Sequence, residues 1–166
     1  MAFYDDPQRN LTDNDRPRCT SALVEGVHLL SVSGEVDCAV HSDLKRALET
    51  AVANAHSSLV IDLTGVHYID SSGFMALIGA WKQMTERHDS LYLVSNPNVR
   101  RLLRTLGLDQ VFDFYDTQCD AVATALQNEM ARSRTRALGG PARQCYALGV
   151  VVNPAKVGVR YQDNVR

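Results

Sequence analysis

The 166-residue chain has no apolar run near the roughly 20 residues that cross a bilayer. Its first 18 residues are polar, with Asp5, Asp6, Asp13 and Asp15 and no apolar core of a secretory signal. The chain therefore reads as cytoplasmic, with no membrane partner. It has four cysteines, at 19, 38, 119 and 145, and none stands in a Cys-x-x-Cys pair or at metal-ligand spacing from a histidine. That pattern argues against zinc, and in a reducing compartment against a disulfide framework. There is no Gly-x-x-x-x-Gly-Lys loop for a nucleotide phosphate and no Gly-x-Ser-x-Gly elbow for a hydrolase. The five histidines form no triad signature with a serine. Nothing calls for a cofactor or a metal, and the chain does not read as an enzyme.

Charge is unevenly spread. Residues 1–130 carry ten basic and eighteen acidic side chains, net −8, whereas residues 131–166 are net +6. An acidic body is a poor match for nucleic acid. Three regions follow: a disordered leader over 1–18, one folded domain over 19–130, and a basic linker and tail over 131–166. Within the tail, residues 131–140 read as linker, and 145–152 and 157–161 are β-prone.

Periodicity describes the domain. Ser21–Val24 and Val27–Val32 read as strands about a turn at Glu25-Gly26, followed by a turn-like stretch, Ser33-Gly34-Glu35-Val36-Asp37. Leu44, Ala47, Leu48 and Ala51 predict a helix over 41–55 with Ser42 as its N-cap. Leu59–Leu63 is apolar and short, as a buried central strand is. Phe74, Leu77, Ile78 and Trp81 predict a helix with Trp81 in the core. A strand over 91–94 leads to Asn96-Pro97. The helix after it has the stripe Val99, Leu102, Leu103 and Leu106, a solvated face of Arg100, Arg101 and Arg104, and Gly107 at its end. A last strand over 111–115 precedes a helix that starts at Thr117 or Asp120. Alternation of this kind predicts an α/β fold: a mostly parallel central sheet with an antiparallel edge and about four helices packed on it.

The segment that carries chemistry is Asp70-Ser71-Ser72-Gly73, between the central strand and the next helix. A helix N-terminus presents backbone N–H groups and the positive end of its dipole. A serine there has three readings. It is a nucleophile, for which no base can be named. It is an N-cap, with Gly73 allowing a tight turn. Or it accepts a phosphoryl group.

Four stretches taken in order single out one family. These are Ser33 to Asp37, Leu59 to Gly73, Phe74 to Trp81, and Asn96-Pro97-Asn98-Val99-Arg100-Arg101 through Gly107-Leu108. Residues 21 to 130 resemble a STAS domain of the bacterial anti-sigma factor antagonists. One departure is Leu106, where that family has a polar or small residue. The resemblance implies an antagonist that binds an anti-sigma factor of serine-kinase fold while unphosphorylated, and so frees a sigma factor for transcription. It implies phosphorylation on Ser71, with Ser72 as a minor acceptor, and reversal by a serine phosphatase. Glu35, Asp37, Asp70, Ser71, Ser72 and Gly73 would form the docking surface. A weak homodimer is a further expectation. The competing reading is a constitutive STAS module, in a stress-sensing complex or in lipid-transport machinery, that no kinase controls.

Overall fold

The computed structural model describes residues 18–137, with side chains through residue 133. The leader up to residue 17 and the β-prone tail segments lie outside the described residues.

Ten elements follow one another: β1 (Arg18–Val24), β2 (Val27–Val36), α1 (His41–Asn54), β3 (Ser58–Ile69), α2 (Ser71–Glu86), β4 (Ser90–Ser95), α3 (Pro97–Thr105), a 3-10 turn (Leu108–Gln110), β5 (Asp113–Tyr115) and α4 (Gln118–Ala137). The strands form one sheet in the order β1-β2-β3-β4-β5. β1 pairs antiparallel with β2, and every other pairing is parallel. The β1–β2 hairpin closes through Glu25 and Gly26, both at positive φ (52° and 91°), the two-residue turn whose twist suits paired strands.

Each parallel pair is joined through a helix. α1, α2 and α3 bury Leu44, Leu48, Leu77, Met84, Val99 and Leu103 in one core with Leu59, Ile61 and Leu93. α4 covers the other face through Ala121, Val122 and Ala125 against Val27, Val60, Tyr92 and Val94. β3 lies between these layers, which explains its unbroken buried run over residues 58–63. Trp81 packs against the first core, edge-on to Phe112 at 6.5 Å between ring centroids. The C-terminal end of α1 is held by Arg87, which donates to the carbonyls of Val52 (2.7 Å) and Ala55 (2.8 Å).

Several local expectations are corrected. Ser33 to Val36 are not a turn but the upper third of β2, paired with β3 across two register irregularities. β3 continues six residues beyond Leu63. Ser42 lies inside α1, whose N-cap is Val40, with no side-chain cap. Of the stripe on α3 only Val99 and Leu103 are buried, while Leu102 and Leu106 are exposed. Arg100 is not solvated like Arg101 and Arg104. It donates to Asp116 Oδ1 (2.7 Å) and the Tyr115 carbonyl (2.8 Å), and its guanidinium lies 5.7 Å from the centre of the Phe114 ring. The strand expected over 111–115 is confined to Asp113–Tyr115, after the 3-10 turn. Thr117 is the start of the last helix, its Oγ1 accepting from the Asp120 amide at 3.1 Å. α4 runs on to Ala137, so residues 131–137 are helix rather than linker.

Candidate functional site

The long β3 makes the site. Its upper half overhangs β4 and pairs only with β2, in the register Glu35↔Tyr68 and Val36↔Ile69. The Asp70 amide extends this pairing by donating to the Val36 carbonyl (3.0 Å). Two polar segments far apart in sequence, Glu35 to Asp37 and Asp70 to Gly73, thus end side by side. The overhang is braced by Asn96. Its Oδ1 accepts from the Val99 amide (3.0 Å), capping α3, while its Nδ2 donates to the carbonyls of Val66 (2.7 Å) and Thr64 (3.2 Å).

Asp70 is the centre of the corner. Its Oδ1 accepts from the amides of Ser72 (2.8 Å) and Gly73 (3.0 Å) and from the Ser72 hydroxyl (2.6 Å). The Cys38 amide also donates to this carboxylate. One side chain therefore caps α2 and holds the loop leading into α1. Burial pushes the Asp70 pKa up. The hydrogen bonds from the Ser72 hydroxyl and from the amides of Gly73, Ser72 and Cys38 outweigh burial and hold it below its ordinary value. Asp37 shapes the same loop from its other end, its Oδ1 accepting from the amides of Ala39 (3.0 Å) and Val40 (3.3 Å).

The two serines are thereby distinguished. Neither is the helix cap, because Asp70 takes that role. Ser72 is half-buried and spends its proton on Asp70. Ser71 is exposed, and no hydrogen bond ties its hydroxyl to another described residue. No trio of His, Cys, Asp or Glu among the described residues is placed to hold a metal ion. The corner is not an open anion cradle either, since the first amides of α2 are already bonded to a carboxylate.

Gly73 serves packing rather than a tight turn. A Cβ there would lie 2.7 Å from both Ile69 Cγ1 and Val36 Cγ1, so its absence lets α2 start directly against the paired strand ends. Glu35 and Asp37 are half-buried at the rim. Sequence reasoning missed Tyr68 and Met75, exposed side chains on the two sides of the corner. An apolar residue in a strand or helix pattern reads as core, and only its exposure in the folded chain shows otherwise.

A mixed sheet with three helices on one face, one on the other, and a capped serine corner above its longest strand defines a small α/β binding domain. The chain belongs to the STAS domain family, whose model matches residues 21–121. Among curated relatives, the anti-sigma-F factor antagonist RsfB of Mycobacterium tuberculosis is 30% identical over 103 residues, 62% of this chain and 84% of that protein. The anti-sigma-B factor antagonist of Listeria monocytogenes is 32% identical over 88 residues, 52% of this chain and 77% of the relative. Among solved structures, an anti-sigma factor antagonist from Mycobacterium paratuberculosis superposes with a TM-score of 0.63 at 30% identity, over 69% of this chain and 98% of that one. The Bacillus cell fate determinant SpoIIAA in its phosphorylated form shares the fold, with a TM-score of 0.51 at 16% identity over 65% of this chain and 97% of that one. No helix among the described residues is long and apolar enough to cross a membrane.

Proposed function

We propose that this protein is an anti-sigma factor antagonist switched by phosphorylation of Ser71. Unphosphorylated, it docks on an anti-sigma factor of serine-kinase fold through Glu35, Asp37, Asp70, Ser71, Ser72 and Gly73, and so releases a sigma factor. The same partner phosphorylates Ser71, and a serine phosphatase restores the active form. On this reading the protein acts in the cytoplasm and is the substrate of an enzyme rather than an enzyme.

The observation that carries the reading is the contrast between the two hydroxyls, Ser71 exposed and unbonded, Ser72 engaged by Asp70. A kinase needs the first condition and is hindered by the second, which makes Ser72 a minor acceptor at most. The consequence of the modification is electrostatic. A phosphoryl group adds about −1.5 to −2 charge. It arrives beside a carboxylate that already holds the amides able to neutralise it. Docking must then bury or oppose that surplus charge. Only about 2.8 kcal/mol of repulsion and desolvation weakens binding 100-fold.

The test is capture of the anti-sigma factor from native cytosol by wild type, Ser71→Ala and Ser71→Glu, followed by measured affinities. Wild type and the Ala variant should bind it, the Glu variant about 100-fold more weakly, and incubation with ATP should place one phosphate on Ser71 by mass spectrometry. Equal capture by all three proteins, with no phosphate on Ser71, would replace this reading by a constitutive binding module.

A further inference from the structure

We propose, resting on the switch reading above, that Asn96 is a positioning residue for Ser71: its side-chain amide stands in for a missing strand and fixes the overhang of β3 that carries the serine corner. The last pair between β3 and β4 is Leu63↔Ser95. Beyond it the chain turns into α3 with Pro97 at the helix start, and proline has no N–H with which to extend the ladder. The overhang from Thr64 to Ile69 therefore has β2 on one side and no strand on the other. Its pairing with β2 is itself irregular, between Ser31 and Ser33 and again between Gly34 and Glu35. Such irregularities leave a residue unpaired and re-aim the strand. β2 alone is a weak guide to the direction in which the overhang leaves the sheet.

Asn96 supplies the other side. Its Nδ2 donates to the carbonyls of Val66 (2.7 Å) and Thr64 (3.2 Å), two residues apart. Alternate carbonyls of a strand point to the same neighbour, so one side-chain amide takes the place of the residue that a longer β4 would have supplied. The Thr64 amide is held at the same point by the buried Asp62, whose Oδ1 accepts from it at 2.8 Å. The base of the overhang is thus pinned through both its N–H and its C=O, and the chain runs from there to Asp70 and Ser71. Asn96 also caps α3, its Oδ1 accepting from the Val99 amide (3.0 Å). A cap needs only that oxygen, and aspartate or serine provides one as well. The donors are what asparagine adds. Without them the overhang takes up several directions, and a partner that needs one of them binds more weakly in proportion to the fraction that presents it.

Two substitutions in the full chain separate the cap from the brace. Asn96→Asp keeps the cap oxygen and sets an acceptor against the two carbonyls. Asn96→Ser keeps the cap and is too short to reach them, so it decides the matter even if Asn96→Asp fails to fold. Hydrogen exchange needs no partner. The Asp70 amide, bonded to the Val36 carbonyl, should exchange about tenfold faster in both variants, the effect of one lost hydrogen bond. The Val99 amide and those of Leu59 to Leu63 should exchange as in wild type. With ATP and the anti-sigma factor that wild type captures, phosphorylation of Ser71 should show a KM at least about threefold higher and an unchanged kcat, as when the presented fraction falls to about a third and saturation recovers it. Unchanged exchange at Asp70, or exchange that quickens equally at Val99, would leave Asn96 a helix cap and overturn the proposal. Faster exchange at Asp70 with KM unchanged would overturn it too, since the overhang would then not govern Ser71. If wild type itself takes up no phosphate, the switch reading fails and the proposal with it, while the exchange rates still report whether Asn96 holds the corner.

Discussion

Replacing Asp70 by alanine removes the acceptor of four hydrogen bonds at once: two α2 amides, the Ser72 hydroxyl and the Cys38 amide. Loss of a helix cap alone costs about 1 kcal/mol. The charge at the N-terminus of α2 adds about 0.3–1 kcal/mol. The released Cys38 amide and Ser72 hydroxyl can turn to water at this half-exposed corner, so they add little. The sum is about 2 kcal/mol, a fall in Tm of roughly 8 °C for a domain of this size. Asparagine keeps a cap oxygen and loses the charge, so Asp70→Asn should cost about half as much. The pH dependence separates charge from shape. The Asp70 pKa in the folded protein lies below its ordinary value of 3.8. The unfolded chain therefore takes up the proton first as pH falls. Its contribution to stability is complete above that ordinary value and disappears as pH drops through the folded one. Urea unfolding of wild type and Asp70→Asn should diverge most near neutrality and converge in acid. A constant gap across that range, or an alanine variant as stable as wild type, would refute the assignment of Asp70 as a charged double cap.

Two further outcomes follow from the same corner. Gly73→Ala places a methyl 2.7 Å from Ile69 and Val36, and should destabilise by about 1–3 kcal/mol in urea titrations; it should also weaken partner binding by shifting the start of α2. Ser72→Ala should cost no more than about 0.5 kcal/mol, since the bond it loses to Asp70 lies at a corner open to water, and Ser71→Ala should likewise leave stability within about 0.5 kcal/mol of wild type while blocking phosphorylation.

The alternation of strands and helices was legible because the elements that cross the middle of the sheet are buried as the periodic patterns require. α2 and the first half of β3 are the clearest cases. The ends of elements were not legible, for a common reason. Above Leu63, β3 is buried only at Val66 and Ile69, which irregularities in its pairing with β2 keep in the same core. A strand covered on one face only reads as a polar turn when Thr64, Gly65 and His67 interrupt it. Ser33 to Val36, its partner in β2, reads as a turn for the same reason. α3 fails differently. Its four apolar positions fit one stripe, yet a nine-residue helix braced against the β3 overhang offers the core only Val99 and Leu103. Periodicity names a face and leaves open how much of it is covered. Arg100 was misread because its acceptors, Tyr115 and Asp116, come from a strand end that only the fold brings near.

At the site, the residue types left the N-cap of α2 to either of two serines, and the structure gives it to Asp70. Ser71 and Ser72 are equivalent as sequence, since both are preferred N-cap residues. What breaks the tie is the residue before them. Aspartate in extended backbone at position 70 takes the cap for itself and then draws in the next hydroxyl it can reach, which is that of Ser72. The first position of the helix points outward and is left over. The same hydrogen bonds that stabilise the helix start therefore select one serine as available, keep a carboxylate ionised beside it, and occupy the amides that would otherwise absorb a phosphate. On the proposed reading, a phosphoryl group on Ser71 adds its negative charge at the surface of this corner, where the docking partner would meet it.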